Sequence, residues 1–211
     1  MSRRLPFYLL LDTSGSMTGT PINAVNQGIQ VFQAAIRSDP RAIETAYVSL
    51  LTFDSEARQV VPLTSATGFS APQLQAQGGT SLGKGLRLLE QCISKEVILN
   101  SGSEQKGDWK PVIFIMTDGQ PTDDWLSAAE SLKRRKYNVI ACAAGEQADE
   151  EMLKHLSDYV LRLCDTTEQS IRAFFEWVTQ STKRMSDSVG TVYANEGIQL
   201  PPPPPALVII P

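Results

Sequence analysis

The sequence predicts a doubly wound α/β fold: a mostly parallel six-stranded sheet with one antiparallel edge strand and helices on both faces. Three observations carry that expectation. Phe7-Tyr8-Leu9-Leu10-Leu11 and Val112-Ile113-Phe114-Ile115-Met116 are apolar at every position, as strands covered on both faces must be. Strand-like and helix-like segments alternate through most of the chain, which requires right-handed crossovers. Both apolar runs also end at polar clusters containing an aspartate, Asp12 and Asp118.

The elements follow in order. After the first strand comes a polar loop, Asp12-Thr13-Ser14-Gly15-Ser16. Thr20 and Pro21 suit a helix cap and its first position. Ile22, Val25, Ile29, Phe32 and Ile36 then fall at steps of three and four on one helical face, and Asp39-Pro40 ends that helix. Tyr47 to Phe53 is a second strand. The short turn Asp54 to Ala57 joins it to a third, Arg58 to Leu63, so the pair is an antiparallel hairpin; Pro62 suits a sheet edge. Residues 64–81 form a polar loop. Leu82, Leu86, Leu89, Ile93 and Val97 mark the next helix, and a solvated loop covers residues 100–109. The fourth strand is Val112 to Met116. A helix from Asp124 to Lys136, a strand from Asn138 to Ala143, a short helix from Glu150 to Leu156 and a strand from Tyr159 to Leu163 follow. A capping box at Thr166 to Gln169 opens the last helix, with Ile171, Phe174, Phe175 and Val178 on its apolar face, ending near Met185.

The domain therefore spans residues 1–185, and residues 186–211 read as a proline-rich C-terminal tail. The tail contains a weak strand-like patch, Thr191-Val192-Tyr193, a polyproline run, Pro201 to Pro205, and the apolar end Leu207-Val208-Ile209-Ile210. It admits three readings: a disordered linker end, a docking peptide for an aromatic groove, or a strand added to a sheet edge.

Composition narrows the function classes. The 211 residues are 42% hydrophobic and 20% charged, enough for a core and too balanced for disorder. A net charge of −4 points to neither nucleic acid nor anionic lipid. The one basic cluster, Lys133-Arg134-Arg135-Lys136, reads as a solvated helix face. Cys92, Cys142 and Cys164 are odd in number and lack a CxxC pair, as free thiols in a reducing compartment would be. The run Phe7 to Leu11 is too short for a signal core, and no stretch is long enough to cross a bilayer. The expectation is a cytoplasmic protein without membrane insertion.

Three polar clusters carry the chemistry: Asp12-x-Ser14-x-Ser16 after the first strand, Gly78-Gly79-Thr80-Ser81 before a helix, and Asp118 after the fourth strand. Ligands of open α/β sheets bind beyond the carboxyl ends of the strands, where the winding reverses. If the first and fourth strands are neighbours there, Asp12 and Asp118 face one another and the Thr80 loop closes the side. The donors Asp12, Ser14, Ser16, Thr80 and Asp118 are all hard oxygens, which suits Mg2+ or Mn2+ rather than zinc or copper. Neutral hydroxyls leave such an ion attractive to a partner's Glu or Asp.

The segments DTSGSM, GGTSLG and FIMTDGQPTDDW resemble the metal-ion-dependent adhesion site of von Willebrand factor A domains over roughly residues 5–185. That resemblance implies Ser14, Ser16 and Thr80 as hydroxyl ligands, with Asp12 and Asp118 binding directly or through water. It implies a protein-interaction module, not an enzyme. The run Asp118 to Trp125 also resembles the bacterial TerY group of tellurite-resistance and stress-response proteins. This likeness implies a signalling setting with a protein kinase and a PP2C-like phosphatase. The zinc module of some relatives has no cysteine set here.

Two enzyme readings compete. The first is a metal-dependent phosphotransferase or hydrolase using Asp12 as nucleophile. The acid/base carboxylate expected two residues on is Ser14, which does not ionise at neutral pH. The second is a nucleotide-binding loop at Gly78 to Lys84. Gly85 stands where Ser or Thr should hold magnesium, and no strand leads in. Asp123 and Asp124 read as charges favouring the N-terminus of their own helix. Trp125 reads as packing at that helix start, and His155 as a surface residue without a partner.

Overall fold

The computed structural model describes residues 3–99, 107–145, 148–188 and 200–210. Seven strands form one sheet: β1 (Leu5–Asp12), β2 (Ala46–Phe53), β3 (Ala57–Ser65), β4 (Val112–Thr117), β5 (Asn138–Ala144), β6 (Tyr159–Leu163) and β7 (Leu207–Ile210). Six helices accompany them: α1 (Thr20–Arg37), α2 (Pro40–Thr45), α3 (Leu82–Glu96), α4 (Leu126–Arg134), α5 (Glu150–Leu156) and α6 (Glu168–Ser188). The sheet order is β3-β2-β1-β4-β5-β6-β7. β1 pairs in parallel with both β2 and β4, while β3 and β7 run antiparallel at the two edges.

The apolar runs explain why β1 and β4 lie in the middle. Alternate side chains of β1 enter two separate cores. Phe7, Leu9 and Leu11 pack with Val25, Phe32, Phe174 and Phe175 from α1 and α6. Tyr8 and Leu10 pack with Leu86, Leu89, Ala129 and Leu132 from α3 and α4. A strand with both faces covered cannot alternate apolar with polar, which is why the sequence does not. Gly28 of α1 meets the Phe175 ring so closely that a Cβ there would lie 2.2 Å from a ring carbon.

Two expectations at element ends change. Asp39-Pro40 closes α1 and also opens α2, because the Asp39 carboxylate accepts from the Arg41 and Ala42 amides and Pro40 needs no donor there. The cap of α6 lies one residue beyond the expected box. Thr167 receives the Ser170 amide on Oγ1 at 3.4 Å and the Ile171 amide on its carbonyl.

The strand count rises from the expected six to seven, and the antiparallel edges from one to two, because the end of the tail belongs to the sheet. Leu207 pairs with Leu163 and Ile210 with Val160. The indole Nε1 of buried Trp177 donates to the Pro201 carbonyl at 3.0 Å, and the Trp177 ring stacks on Tyr159. The polyproline run thus arrives at β6 pre-extended, with few conformations to lose. The strand-like patch at 191–193 lies outside the described residues.

Leu207 is 3% exposed. Leu207→Ala is expected to destabilise the domain by about 2–3 kcal/mol in urea unfolding. Ile209→Ala, on the open face, should change it by less than about 0.5 kcal/mol. Equal, negligible effects of both would show that β7 is not part of the folded sheet.

Candidate metal centre

Asp12 ends β1 and Thr117 ends β4, and the two strands are parallel neighbours with Leu11 opposite Met116. From β1 the chain winds out to β2 and β3, then returns to the other side of β1 at β4. The two carboxyl ends therefore meet at the point of reversal, where a crevice opens. Asp12 is fully buried there. One of its oxygens accepts the Ser14 amide at 2.8 Å and the other the Thr117 hydroxyl at 2.5 Å. A 3-10 turn at Gly15–Met17 then swings Ser16 back over the crevice. The Ser14 and Ser16 hydroxyls are 3.0 Å apart, and Ser16 donates to Asp118 Oδ1 at 2.8 Å. Asp12, Ser14, Ser16 and Asp118 thus form one continuous polar chain.

Thr80 approaches from the side. It is buried, and the loop after β4 runs beside it at Gly119, where even a Cβ would stand only in ordinary contact with its Oγ1 at 3.5 Å. Backbone bonds fix this approach: Thr122 N to Thr80 O at 2.9 Å, Gly15 N to Gly78 O at 3.0 Å, and Gln77 N to Thr13 O at 2.8 Å. The Asp54 carbonyl receives the Ser81 amide, and the Ser55 hydroxyl receives the Gly79 amide. All five expected ligands are therefore held at one end of the sheet by three mutually bonded loops.

Asp123 acts differently from the expectation. Its carboxylate accepts the Gly83 and Lys84 amides at 2.9 Å each, so it serves the first turn of α3 rather than α4. Because Asp123 and Asp124 belong to this loop, α4 starts only at Leu126. Gly83 is required for the contact, since a Cβ would lie 2.3 Å from the Asp124 carbonyl oxygen. The same contact disposes of the nucleotide-loop reading. A carboxylate occupies the amides a phosphate would need, and Lys84 Nζ is bonded to Ser55 O and Glu56 Oε1. Trp125 is half-buried against the α3–α4 core, as expected. His155 is exposed but has a partner after all, the Trp125 ring at 5.9 Å.

Sequence reasoning missed Thr117, Asp54 and Ser55 as supports. Thr117 carried a signal, a hydroxyl ending an apolar strand one residue before an aspartate. Asp54 carried little, because its bonds to the Glu56 amide and to Arg58 look like ordinary turn chemistry.

Burial pushes the Asp12 carboxyl up to about 6; the bonds from Ser14 and Thr117 pull it back, and the nearby Asp118 charge pushes it further up. Burial also raises Asp118, against the pull of the Ser16 hydroxyl. Among the described residues, no Lys or Arg forms an ion pair with either. Two buried carboxylates without a basic neighbour fit a cation between them. No cluster of three His, Cys, Asp or Glu side chains with metal-holding geometry occurs among the described residues, so any cation here leans on hydroxyl oxygens. That donor set is hard and fits a small divalent ion.

Comparison with known proteins agrees with this geometry. The family model for the von Willebrand factor type A domain matches residues 7–175. An uncharacterised Synechocystis protein is 28% identical over 95% of this chain, which spans 46% of that protein's length. The pilus adhesin SpaC of Lactobacillus rhamnosus GG superposes with a TM-score of 0.69 at 17% identity, over 86% of this chain and 30% of SpaC. A mussel byssus protein, proximal thread matrix protein 1, with a zinc-occupied metal-ion-dependent adhesion site, gives 0.61 at 16% identity over 85% of this chain and 48% of its own. With the doubly wound sheet, the three loops and the matched model together, the chain belongs to the von Willebrand factor type A domain family.

Proposed function

We propose that this domain captures an acidic protein segment through a divalent cation, Mg2+ or Mn2+, held by Asp12, Ser14, Ser16, Thr80 and Asp118. The observation that carries the reading is the hydrogen-bonded chain of two buried carboxylates and two serine hydroxyls, with neither carboxylate in an ion pair to Lys or Arg among the described residues. Domains of this family commonly mediate metal-dependent protein interaction and adhesion. When bound, the cation supplies an electrophilic centre that accepts a carboxylate from outside. The protein's own part is to hold the oxygens still. Thr117 and the Ser14 amide fix both oxygens of Asp12, and the backbone bond from Thr122 to Thr80 sets the side wall.

We read the domain as non-catalytic. Both Asp12 oxygens already accept hydrogen bonds, which blunts it as a nucleophile, and the place of an acid/base carboxylate is held by Ser14. The finer setting proposed is cytoplasmic, in a bacterial stress-response system of the tellurite-resistance type, with a protein kinase or a PP2C-like phosphatase presenting the acidic segment. The likeness of Asp118 to Trp125 to the TerY group supports it. No helix among the described residues is long and apolar enough to cross a membrane.

Saturating Mg2+ or Mn2+ should raise the melting temperature by roughly 5–10 °C, the effect of about 2.7 kcal/mol at a hundredfold excess over Kd. Asp12→Ala should abolish that increment; an unchanged increment would remove Asp12 from the ligand set. The increment should also depend on pH. Asp12 has a folded pKa of about 6 against an ordinary 3.8. Its contribution to stability is therefore present below about 4 and lost as pH rises through 6. The metal-free domain is weakened by this group at pH 7.5, where a cation helps most. Differential scanning fluorimetry should show a larger Mg2+ increment at pH 7.5 than at pH 5, and equal increments would contradict the burial of an ionisable ligand. Finally, proteins retained on the immobilised domain in Mg2+ should be lost in chelator and with Thr80→Ala. Retention that ignores both would reduce any cation to a structural role.

A further inference from the structure

The opposite end of the sheet holds a second concave site. Asn138 and Tyr159 are the first residues of β5 and β6, whereas Asp12 and Thr117 are the last of β1 and β4. At this amino end lies a cavity of about 700 Å³, within the range of small-molecule sites. Lys110, Lys133 and Lys136 line its rim, and Tyr137, Leu156 and Leu200 contribute to its floor.

The lysines are poorly neutralised. Lys133 reaches Asp158 only at 3.7 Å, in a pair open to solvent on both sides and therefore worth little. Lys110 and Lys136 form no ion pair among the described residues. Burial lowers the Lys110 pKa, and the neighbouring Lys136 charge lowers it further; Asp158, which pairs with Lys133, is the one carboxylate lining the cavity.

The backbone gives an independent sign. Lys136 follows the end of α4 with φ +54°, the one non-glycine residue in the left-handed region among those described. Its amide closes the helix on Lys133 O at 3.0 Å. Glycine or asparagine is the unstrained choice there. A lysine in that position places an ammonium on the cavity rim at the expense of local strain, the pattern of a functional site.

We propose that this cavity binds a small organic phosphomonoester, its dianion between Lys110 and Lys136 and its apolar body on the Tyr137–Leu156–Leu200 floor. Phenyl phosphate is the probe, titrated into 15N-labelled protein with chelator present so that the carboxyl end of the sheet cannot hold phosphate through a metal. Saturable shifts confined to residues 110, 132–139, 156–159 and 200 are expected. Phenol and inorganic phosphate, each lacking half of the ligand, should bind roughly tenfold more weakly. Lys110→Met should weaken phenyl phosphate by roughly tenfold or more. Lys136→Gly should do the same while raising the melting temperature by roughly 2–4 °C, because it relieves the strained backbone; lost binding then cannot be blamed on a damaged fold. Absence of saturable shifts at these residues up to about 10 mM, or an affinity in both variants unchanged from that of the unsubstituted protein, overturns the proposal.

Discussion

The hydrogen bond from Thr117 to Asp12 joins the ends of the two central strands, and the candidate site is arranged around it. A carboxylate with no exposure is costly unless its oxygens are satisfied. Here one oxygen is satisfied by the next loop of its own strand and the other by the neighbouring strand. That arrangement requires β1 and β4 to be adjacent and in register, which the two core clusters enforce from opposite faces. It also leaves the remaining lone pairs of Asp12 directed by fixed donors instead of by solvent. The site is thus a consequence of topology: only the strand pair at the reversal brings two carboxyl ends to one crevice.

The loops show how little freedom remains. Residues 77–81 touch the loop after β1 and the β2–β3 turn through backbone bonds, and Thr122 closes them against the loop after β4. Each bond is worth only about 1 kcal/mol, but together they fix Thr80, whose own position in a long polar loop would otherwise be undefined. Asp123 adds a charge at the start of α3 from outside that helix. The rim is therefore organised before any ligand arrives, which reduces the ordering entropy of binding.

Much of this was legible in the sequence, and the parts that were not share a cause. The central strands were visible because burial on both faces removes polar residues altogether; Asp12, Ser14, Ser16 and Asp118 stood out where those runs end, and Thr80 through a cluster that opens a helix and completes the resembled motif. Helix α2 was hidden because Asp39-Pro40 is equally a stop and a start. Strand β7 remained one of three readings of the tail, because four apolar residues after five prolines do not say which edge they join; Trp177 decides it, and its partner carbonyl at Pro201 carries no side-chain signal. The same holds for Asp123, whose partners are backbone amides 40 and 39 residues away. Local periodicity reports burial and caps; it does not report contacts made by main chain to distant side chains.

The balance of charge at the site bears on what it can do. Two carboxylates would match the charge of one divalent ion, and the hydroxyls of Ser14, Ser16 and Thr80 would add coordination without adding negative charge. A third carboxylate would hold the cation more tightly while repelling an acidic partner; a histidine or a spare base would prepare a water for attack. Neither a third carboxylate nor a histidine occurs in the hydrogen-bonded chain from Asp12 to Asp118, and the one histidine packs on Trp125. A near-neutral centre with its own oxygens fixed would suit the carboxylate of another protein, as the proposed capture requires. The polar cluster sits at the end of the most apolar strands because those central strands are the ones that meet at the reversal.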